Sequence, residues 1–340
     1  MDRNDTIPTE DCTLETCPLE QGLLNYLPNV GANAFFAAWF GVLLILQIFH
    51  VAKYRTWGYF VAMFSGLLLE ILGYVGRIQM HSNPFTMSSY LLYLVCLTIA
   101  PAFFGAAVYL CLSRIIVVYG ESISRFKPRT YTLAFIGCDF LSLVLQGTLP
   151  FENHQYWRLT SSTGAGGGLA STAANSESST ETGRNIMMGG LAFQVVATLM
   201  FMVASAEFWW RVRRAGPDAR DPSHETLRRS LKFRLFLWGL AVAVTCIFTR
   251  SVFRVAELSE GFDGELANQE VTFMILEGAM MFISCTALTF LHPGYCFQGS
   301  WGAANFRLGR SKKENTTDGL PFSDKDGIVD GGSESSKETV

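Results

Sequence analysis

The chain has 340 residues, of which 49% are hydrophobic and only 16% are charged. Soluble domains carry roughly a quarter charged residues, so this composition excludes an ordinary soluble protein and favours a polytopic membrane protein. The formal net charge of −3 gives no indication of a nucleic-acid partner, and we expect none.

Seven apolar runs of about 20 residues are long enough to cross a bilayer as helices. They lie at 33–52, 57–78, 89–117, 131–149, 185–210, 235–255 and 270–291. The third run contains Pro101, which predicts a kink in one long helix rather than two separate helices. The sequence therefore predicts an all-α integral membrane protein, a bundle of seven transmembrane helices.

Lys and Arg residues are distributed unequally between the two sides that these spans define. One side carries 18 of them in the connecting segments and the tail up to Lys313, whereas the other carries only Arg3, Arg158 and Arg184. Because cytoplasmic loops are enriched in Lys and Arg, this pattern predicts that the N-terminus lies outside and the C-terminus lies in the cytoplasm. The predicted organisation is an exterior acidic tail at 1–32, a transmembrane domain at 33–297 with a flexible exterior loop at 150–184, and a disordered cytoplasmic tail at 298–340.

The exterior tail contains sites for covalent modification. Asn4 stands in an Asn-Asp-Thr acceptor sequence, which predicts an outward-facing N-glycosylation site. Cys12 and Cys17 lie in the oxidising exterior, where they could pair with each other, stay free or bond to another chain.

The stretch EILGYVGR places charge inside an otherwise apolar span. Glu70, Gly73, Tyr74 and Arg77 fall at helical spacing and share one helix face. An ionisable group in a membrane span costs about 3 kcal/mol or more unless it faces protein or water. We therefore expect this face to point into the helix bundle.

Four further spans carry polar residues in the same way. They are Asp139, Ser142 and Gln146 in the fourth span, Gln194 in the fifth, Arg250, Arg254 and Glu257 in the sixth, and Glu277 in the seventh. These residues either form ion pairs and hydrogen bonds that specify helix packing, or line a polar cavity that opens outward and accepts the headgroup of an amphiphile. For the set as a whole we favour the cavity.

The sequence lacks the motifs of several functional classes of protein. There is no phosphate-binding GxxxxGK[ST] loop, the five histidines lack metal-ligand spacing, and no nucleophile stands beside a base. We expect no enzyme activity, no metal and no cofactor.

The motifs in combination resemble the fungal RTA-like family, named for resistance to aminocholesterol, whose members are seven-span lipid-translocating exporters. The matching residues are Tyr26, Pro28, Ala32, Asn33, His50, EILGYVGR at 70–77, Ala100, Pro101, AAVYLCLSR ending at Arg114, FIGCDFLSLVLQG at 135–147, Gly190, Leu191, Gln194, RSVFRVAE at 250–257, His292, Pro293 and Gly294. One departure lies in the seventh span. There the family reads Glu, Tyr and Asp at intervals, whereas in this chain Phe273 and Met274 occupy the region of the Tyr, and Glu277 occupies that of the Asp.

The resemblance implies movement of amphiphilic lipids such as sphingoid long-chain bases at a fungal plasma membrane, and resistance to toxic lipids or drugs. A long-chain base is an ammonium on an acyl tail, so Glu70, Asp139 and Glu277 are the candidates for amine contact. Arg77, Arg250 and Arg254 would position these carboxylates or meet a phosphate. The alternative function is a lipid-sensing receptor that acts through its basic cytoplasmic loop and tail. The oligomeric state stays open.

Overall fold

The computed structural model describes residues 26–120, 123–125, 127–146, 178–216, 224–259, 269–297 and 301. The chain divides into two units, Met1–Phe306 and Arg307–Val340, and all described residues belong to the first. The predictions for Asn4, Cys12, Cys17, most of the exterior loop and the C-terminal tail fall outside the described residues.

The long elements in these residues are all helices. They are α1 Val30–Tyr54, α2 Trp57–Ser82, α3 Met87–Tyr119, α4 Pro128–Gln146, α5 Ser178–Arg214, the short α6 Glu225–Arg229, and α7 Leu231–Ser259. Helix α8 covers 270–290 in three parts, Glu270–Phe273, a π-helical turn Met274–Ala279, and Met280–Phe290, and the short α9 is Pro293–Cys296. The all-α prediction is confirmed for the described residues, which contain no strand.

Six of these helices are long and apolar enough to cross a membrane by length and composition: α1, α2, α3, α5, α7 and α8. Helix α4, with 19 residues, is not among them, because Arg129, Asp139 and Gln146 lower its hydropathy. Helix α3 continues through Pro101 as one helix, as predicted. Helix α5 begins at Ser178, earlier than the predicted 185. The chain is a multi-pass membrane protein, and the count of seven spans stays a prediction.

The long helices pack side by side in a closed ring. Contacts join α1 to α2, α2 to α3, α3 to α4, α4 to α5, α5 to α7, α7 to α8, and α8 back to α1. Helix α3 also contacts α7 across the ring. Polar groups on the inner faces of α2, α3, α7 and α8 are therefore brought together.

Side-chain burial is the reverse of that in a soluble protein. Arg77, Arg250 and Arg254 are among the largest fully buried side chains, whereas Trp238 and Val271 are 70% and 71% exposed. Charge inside and bulky apolar groups outside is the arrangement expected for a bundle surrounded by lipid chains.

Helices α2 and α3 approach each other closely at Gly76. A Cβ at this position would lie 2.9 Å from the Tyr93 backbone nitrogen and 3.0 Å from the Ser89 carbonyl oxygen. Because these are backbone atoms, neither can move aside for a methyl group. Gly76, the second glycine in EILGYVGR, is thus required for the contact that sets the depth of Glu70 and Arg77 against α3.

Candidate functional site: a buried ion cluster and a separate crevice at Asp139

An ion cluster lies between α2, α7 and α8. One carboxylate oxygen of Glu277 lies 2.5 Å from Arg250 Nη2 and 3.3 Å from Arg254 Nε. Arg254 also pairs with Glu257 at 2.7 Å, and Arg250 Nη2 lies 3.9 Å from Glu70 Oε1. These five side chains, at most 6% exposed, are called the ion cluster below.

Glu277 is the shared acceptor of the ion cluster, and the π-helical turn Met274–Ala279 carries it. A π turn holds an extra residue and redirects the side chains around it, and such turns are frequent at functional sites. Gly278 in the same turn faces α1 and α2, since a Cβ there would lie 2.7 Å from the Phe36 ring and 3.2 Å from the Tyr74 hydroxyl.

Helix α3 contributes backbone to the ion cluster. Proline has no N–H, so Pro101 leaves the carbonyl of Leu97, four residues earlier, without its helical donor. Arg250 Nη2 donates a hydrogen bond to that Leu97 carbonyl, and Arg254 Nη2 donates to the Thr98 hydroxyl at 3.4 Å. Pro101 and the buried arginines are therefore complementary parts of one contact.

Formal charge in the ion cluster is almost balanced. Its three carboxylates and two guanidiniums give −1 if all are ionised. Both oxygens of Glu70 and Oε2 of Glu277 accept no hydrogen bond from the described residues. The cluster therefore resembles a packed salt-bridge network with spare acceptors on its carboxylates.

Arg77 is held differently, by aromatic rings. Its Nε donates to Asn33 Oδ1 at 3.1 Å and its Nη2 donates to the Tyr26 hydroxyl at 2.9 Å. The guanidinium carbon lies 3.8 Å from the centre of the Phe273 ring and 5.0 Å from that of Tyr93. No carboxylate in the described part of the chain lies within 4 Å of it, so ring faces stabilise this buried cation.

Tyr74 lies between the ion cluster and α1. Its ring stacks on Phe36 and Phe40, with centroids 5.3 Å and 5.8 Å apart. The side chain is fully buried, and its hydroxyl has no hydrogen-bond partner among the described residues.

The remaining predicted site residues lie elsewhere, on α4 and α5. Gln146 Nε2 donates to Gln194 Oε1 at 3.1 Å. Asp139 and Gln194 line a crevice between α3, α4, α5 and α7 whose cavity volume is about 10 Å³, room for about one water molecule. The predicted set is therefore divided between the ion cluster with its neighbours Tyr74 and Arg77, and the separate crevice at Asp139.

Sequence reasoning missed the uncharged partners of the arginines. Tyr26, Asn33 and Phe273 enter only through the family resemblance, without a role at Arg77. Tyr93 could not be found, because aromatic residues in apolar spans carry no polar signal. The Leu97 carbonyl could have been found, since Pro101 necessarily frees it.

Two histidines that are far apart in the sequence also meet. The rings of His50 on α1 and His292 before α9 have centroids 4.5 Å apart. The backbone N–H of Gly294 donates to His292 Nδ1 at 3.1 Å, so this ring caps α9. The described residues contain no group of three or more His, Cys, Asp or Glu that would suit a metal ion.

A ring of bilayer-spanning helices around buried ion pairs defines this chain as a polytopic membrane protein. Residues 63–300 match the protein family described as RTA1 like protein. The chain belongs to this family.

Individual relatives come from Saccharomyces cerevisiae. The chain is 33% identical to the sphingoid long-chain base transporter RSB1 of strain Lalvin EC1118, over 80% of this chain and 74% of the relative. It is 28% identical to protein RTM1 over 67% of this chain and 65% of that relative. It is also 28% identical to protoporphyrin uptake protein 1, over 68% of this chain and 67% of that relative. No solved structure matches.

Proposed function

We propose that this chain is a transporter of amphiphilic lipids, in particular of sphingoid long-chain bases, and that it protects the cell against toxic lipids. The observation that carries the proposal is the similarity to a protein named as a sphingoid long-chain base transporter, which extends over four fifths of the chain. The family match over residues 63–300 includes the residues of the ion cluster and of the crevice. The related protoporphyrin uptake protein favours an amphiphile as ligand.

We assign the ion cluster a role in holding the transporter in one conformation. Breaking a buried ion pair costs about 3–5 kcal/mol, because the charge that remains loses its partner. Glu277 joins α7 to α8, and Arg250 joins α7 to α3. Relative movement of these helices must exchange such contacts, so the cluster suits a latch between two states. Of the two roles considered for buried charge, this is closer to packing than to a ligand cavity.

We further propose seven spans, with the N-terminus outside and the C-terminus in the cytoplasm. Helix α4 supports the seventh span, because it packs in the ring between α3 and α5. Its outward side carries exposed apolar side chains at helical spacing, Leu133, Phe140, Leu141 and Val144. A surface of this kind is stable only against lipid or another protein.

The plasma membrane is the proposed location, because protection against a toxic base requires its removal from the cell. Expression of the chain in fungal cells loaded with labelled sphingosine tests the proposed transport and the proposed location. We expect faster release of the label into the medium, and growth at higher sphingosine concentration, than with an empty vector. Unchanged release together with unchanged tolerance would contradict the proposal.

We also propose that the chain acts without catalysis, since its relatives are named for transport and uptake. The label released by the cells should therefore be unmodified sphingosine, which chromatography of the medium checks. Release of a chemically altered base would contradict this statement.

A further inference from the structure

Asp139 is a buried carboxylate without a compensating cation. It is 5% exposed, and no Lys, Arg or His in the described part of the chain forms an ion pair with it. Its Oδ1 has no hydrogen-bond partner among the described residues. The Tyr109 hydroxyl donates a hydrogen bond to this carboxylate. A buried carboxylate with one neutral donor and no cation is still costly at this depth, so it favours either a proton or a cationic ligand.

Groups suited to hydroxyl recognition surround this carboxylate. Tyr109, Gln194 and Thr198 line the same crevice. A Cβ on Gly105 of α3 would lie 3.0 Å from Asp139 Oδ2 and 3.2 Å from the Tyr109 hydroxyl. The absence of a side chain at Gly105 thus allows both groups to approach the α3 backbone.

The rest of the crevice wall is apolar. Val108 lies on α3, Phe201 on α5, and Val244 and Ile247 on α7. The wall thus has a carboxylate and hydroxyl groups at one place, with branched and aromatic side chains around them. Such a wall matches a ligand with a cationic polar head and a hydrocarbon chain.

The carboxylates of the ion cluster are less suited to receive such a head. Glu277 and Glu257 are already paired with arginines, and Glu70 lies 3.9 Å from Arg250. A ligand ammonium there would share its carboxylate with a guanidinium. At Asp139 it would share the carboxylate with no other cation.

We propose that the crevice at Asp139 binds the head of a long-chain base, with Asp139 as the partner of the ammonium and Tyr109, Gln194 and Thr198 as partners of the neighbouring hydroxyl groups. This inference rests on the proposed function. It selects one of the three carboxylates that were candidates for amine contact, and it places the site between α3, α4, α5 and α7, apart from the ion cluster.

Binding to the purified full chain in lipid nanodiscs tests the site. The probes are radiolabelled sphingosine and N-acetylsphingosine, which has the same chain and hydroxyl groups but no charge on nitrogen. Asp139→Asn is expected to weaken sphingosine binding about tenfold or more, because a hydrogen bond to a charged group is lost, while N-acetylsphingosine binding stays the same. The ratio of the two affinities is measured on one preparation, so partial unfolding does not imitate the effect.

Glu207→Gln is the matched control. Glu207 lies on α5, is partly exposed, and pairs with Arg211 at 2.7 Å. The Glu207→Gln substitution removes one carboxylate charge outside the crevice. Its ratio of sphingosine affinity to N-acetylsphingosine affinity should equal that of the wild-type chain. An Asp139→Asn ratio equal to that of wild type and Glu207→Gln would overturn the proposal.

Photolabelling of the wild-type chain keeps the proposal testable if Asp139→Asn does not fold. The probe is sphingosine with a diazirine in its hydrocarbon chain, and excess unlabelled sphingosine is the competitor. We expect competed adducts on the crevice wall, for example at Val108 or Phe201. Competed adducts confined to α1, α2 and α8 would overturn the site.

The failure of the site and the failure of the proposed function give different results. If cells release sphingosine equally with the wild-type chain and with Asp139→Asn, the site is wrong and the transport function stands. If the wild-type chain binds sphingosine through Asp139 but releases none, the function is wrong and the site stands. If the wild-type chain neither binds nor releases the base, both are overturned.

Discussion

Arg250 takes the hydrogen-bonding position that Pro101 leaves open. The proline on α3 cannot donate to the Leu97 carbonyl, and the Arg250 guanidinium on α7 donates to that carbonyl instead. A residue that breaks one helical hydrogen bond thus provides a polar anchor for a charge on another helix. In a bilayer, water cannot form hydrogen bonds with the Leu97 carbonyl or with the Arg250 guanidinium, so each group needs the other as its partner.

This relationship predicts energetic coupling between Pro101 and Arg250. Pro101→Ala restores an N–H that competes for the Leu97 carbonyl. The loss of unfolding free energy caused by Arg250→Lys should therefore be smaller in the Pro101→Ala protein than in the wild-type protein. A double-mutant cycle on the free energy of unfolding in mixed micelles should give a coupling of about 1 kcal/mol, the size of one hydrogen bond. Arg228→Lys is the matched control, since Arg228 donates to another α3 carbonyl, that of Val118. Equal coupling in both cycles would contradict the relationship.

Glu277 and Glu70 should differ in their effect on stability. Glu277 forms ion pairs with two arginines, at 2.5 Å and 3.3 Å, whereas Glu70 lies 3.9 Å from one. We expect Glu277→Gln to lower the free energy of unfolding by about 3 kcal/mol and Glu70→Gln to lower it by less, while both proteins still insert into the membrane. The same mixed-micelle unfolding measurement ranks them. A larger loss for Glu70→Gln would show that the ion pairs are arranged differently.

The aromatic surroundings of Arg77 predict that its shape matters as well as its charge. Arg77→Lys keeps the charge but loses the planar contact with Phe273 and one of the two hydrogen bonds, so it should destabilise the protein by about 2 kcal/mol. Tyr26→Phe removes a single hydrogen bond and should cost about 1 kcal/mol. Thermal unfolding of both variants checks the order, and an Arg77→Lys protein as stable as the wild type would refute it.

Gly105 should be required for transport. Gly105→Ala places a methyl group 3.0 Å from Asp139 Oδ2 and should push the carboxylate and Tyr109 out of position. We expect release of labelled sphingosine from cells to fall severalfold with expression unchanged. Gly137→Ala on α4 is the control, because a Cβ there meets no atom within 4 Å. Equal release of sphingosine by the two variants would contradict a role of the crevice at Asp139 in transport.

The topology makes a prediction about sugar attachment. Asn4 should carry N-linked sugar, so treatment with an endoglycosidase should increase gel mobility, and Asn4→Gln should abolish the shift. If α4 crosses the membrane, an acceptor sequence inserted within residues 160–170 should be glycosylated, whereas one inserted within residues 217–222 should not. Modification at the second place would contradict the seven-span topology.

Much of the fold was predictable because apolar runs of membrane length have few alternatives to forming helices. Helical spacing also placed Glu70, Tyr74 and Arg77 on one inward face. The packing partners could not be predicted in this way. Nothing in the spacing shows that Asp139 and Glu277 lie in different places, since that depends on which helices are neighbours in the ring.

Two local features were beyond periodic reasoning. The π-helical turn shifts the register around Glu277, and a regular helical pattern assumes that no such turn exists. The partners of Arg77 are mainly rings, which apolar spans contain in large numbers, so their choice depends on tertiary packing. Charged residues were therefore found from the sequence, whereas their uncharged partners came from the structure.

The most direct measurement is the rate at which labelled sphingosine crosses the bilayer of liposomes that contain only the purified wild-type chain, beside protein-free liposomes and liposomes with Asp139→Asn. The proposed function predicts faster crossing with the wild-type chain, and the crevice predicts that Asp139→Asn abolishes most of the gain. If the wild-type chain binds sphingosine without accelerating its crossing, transport is contradicted and the receptor alternative takes its place.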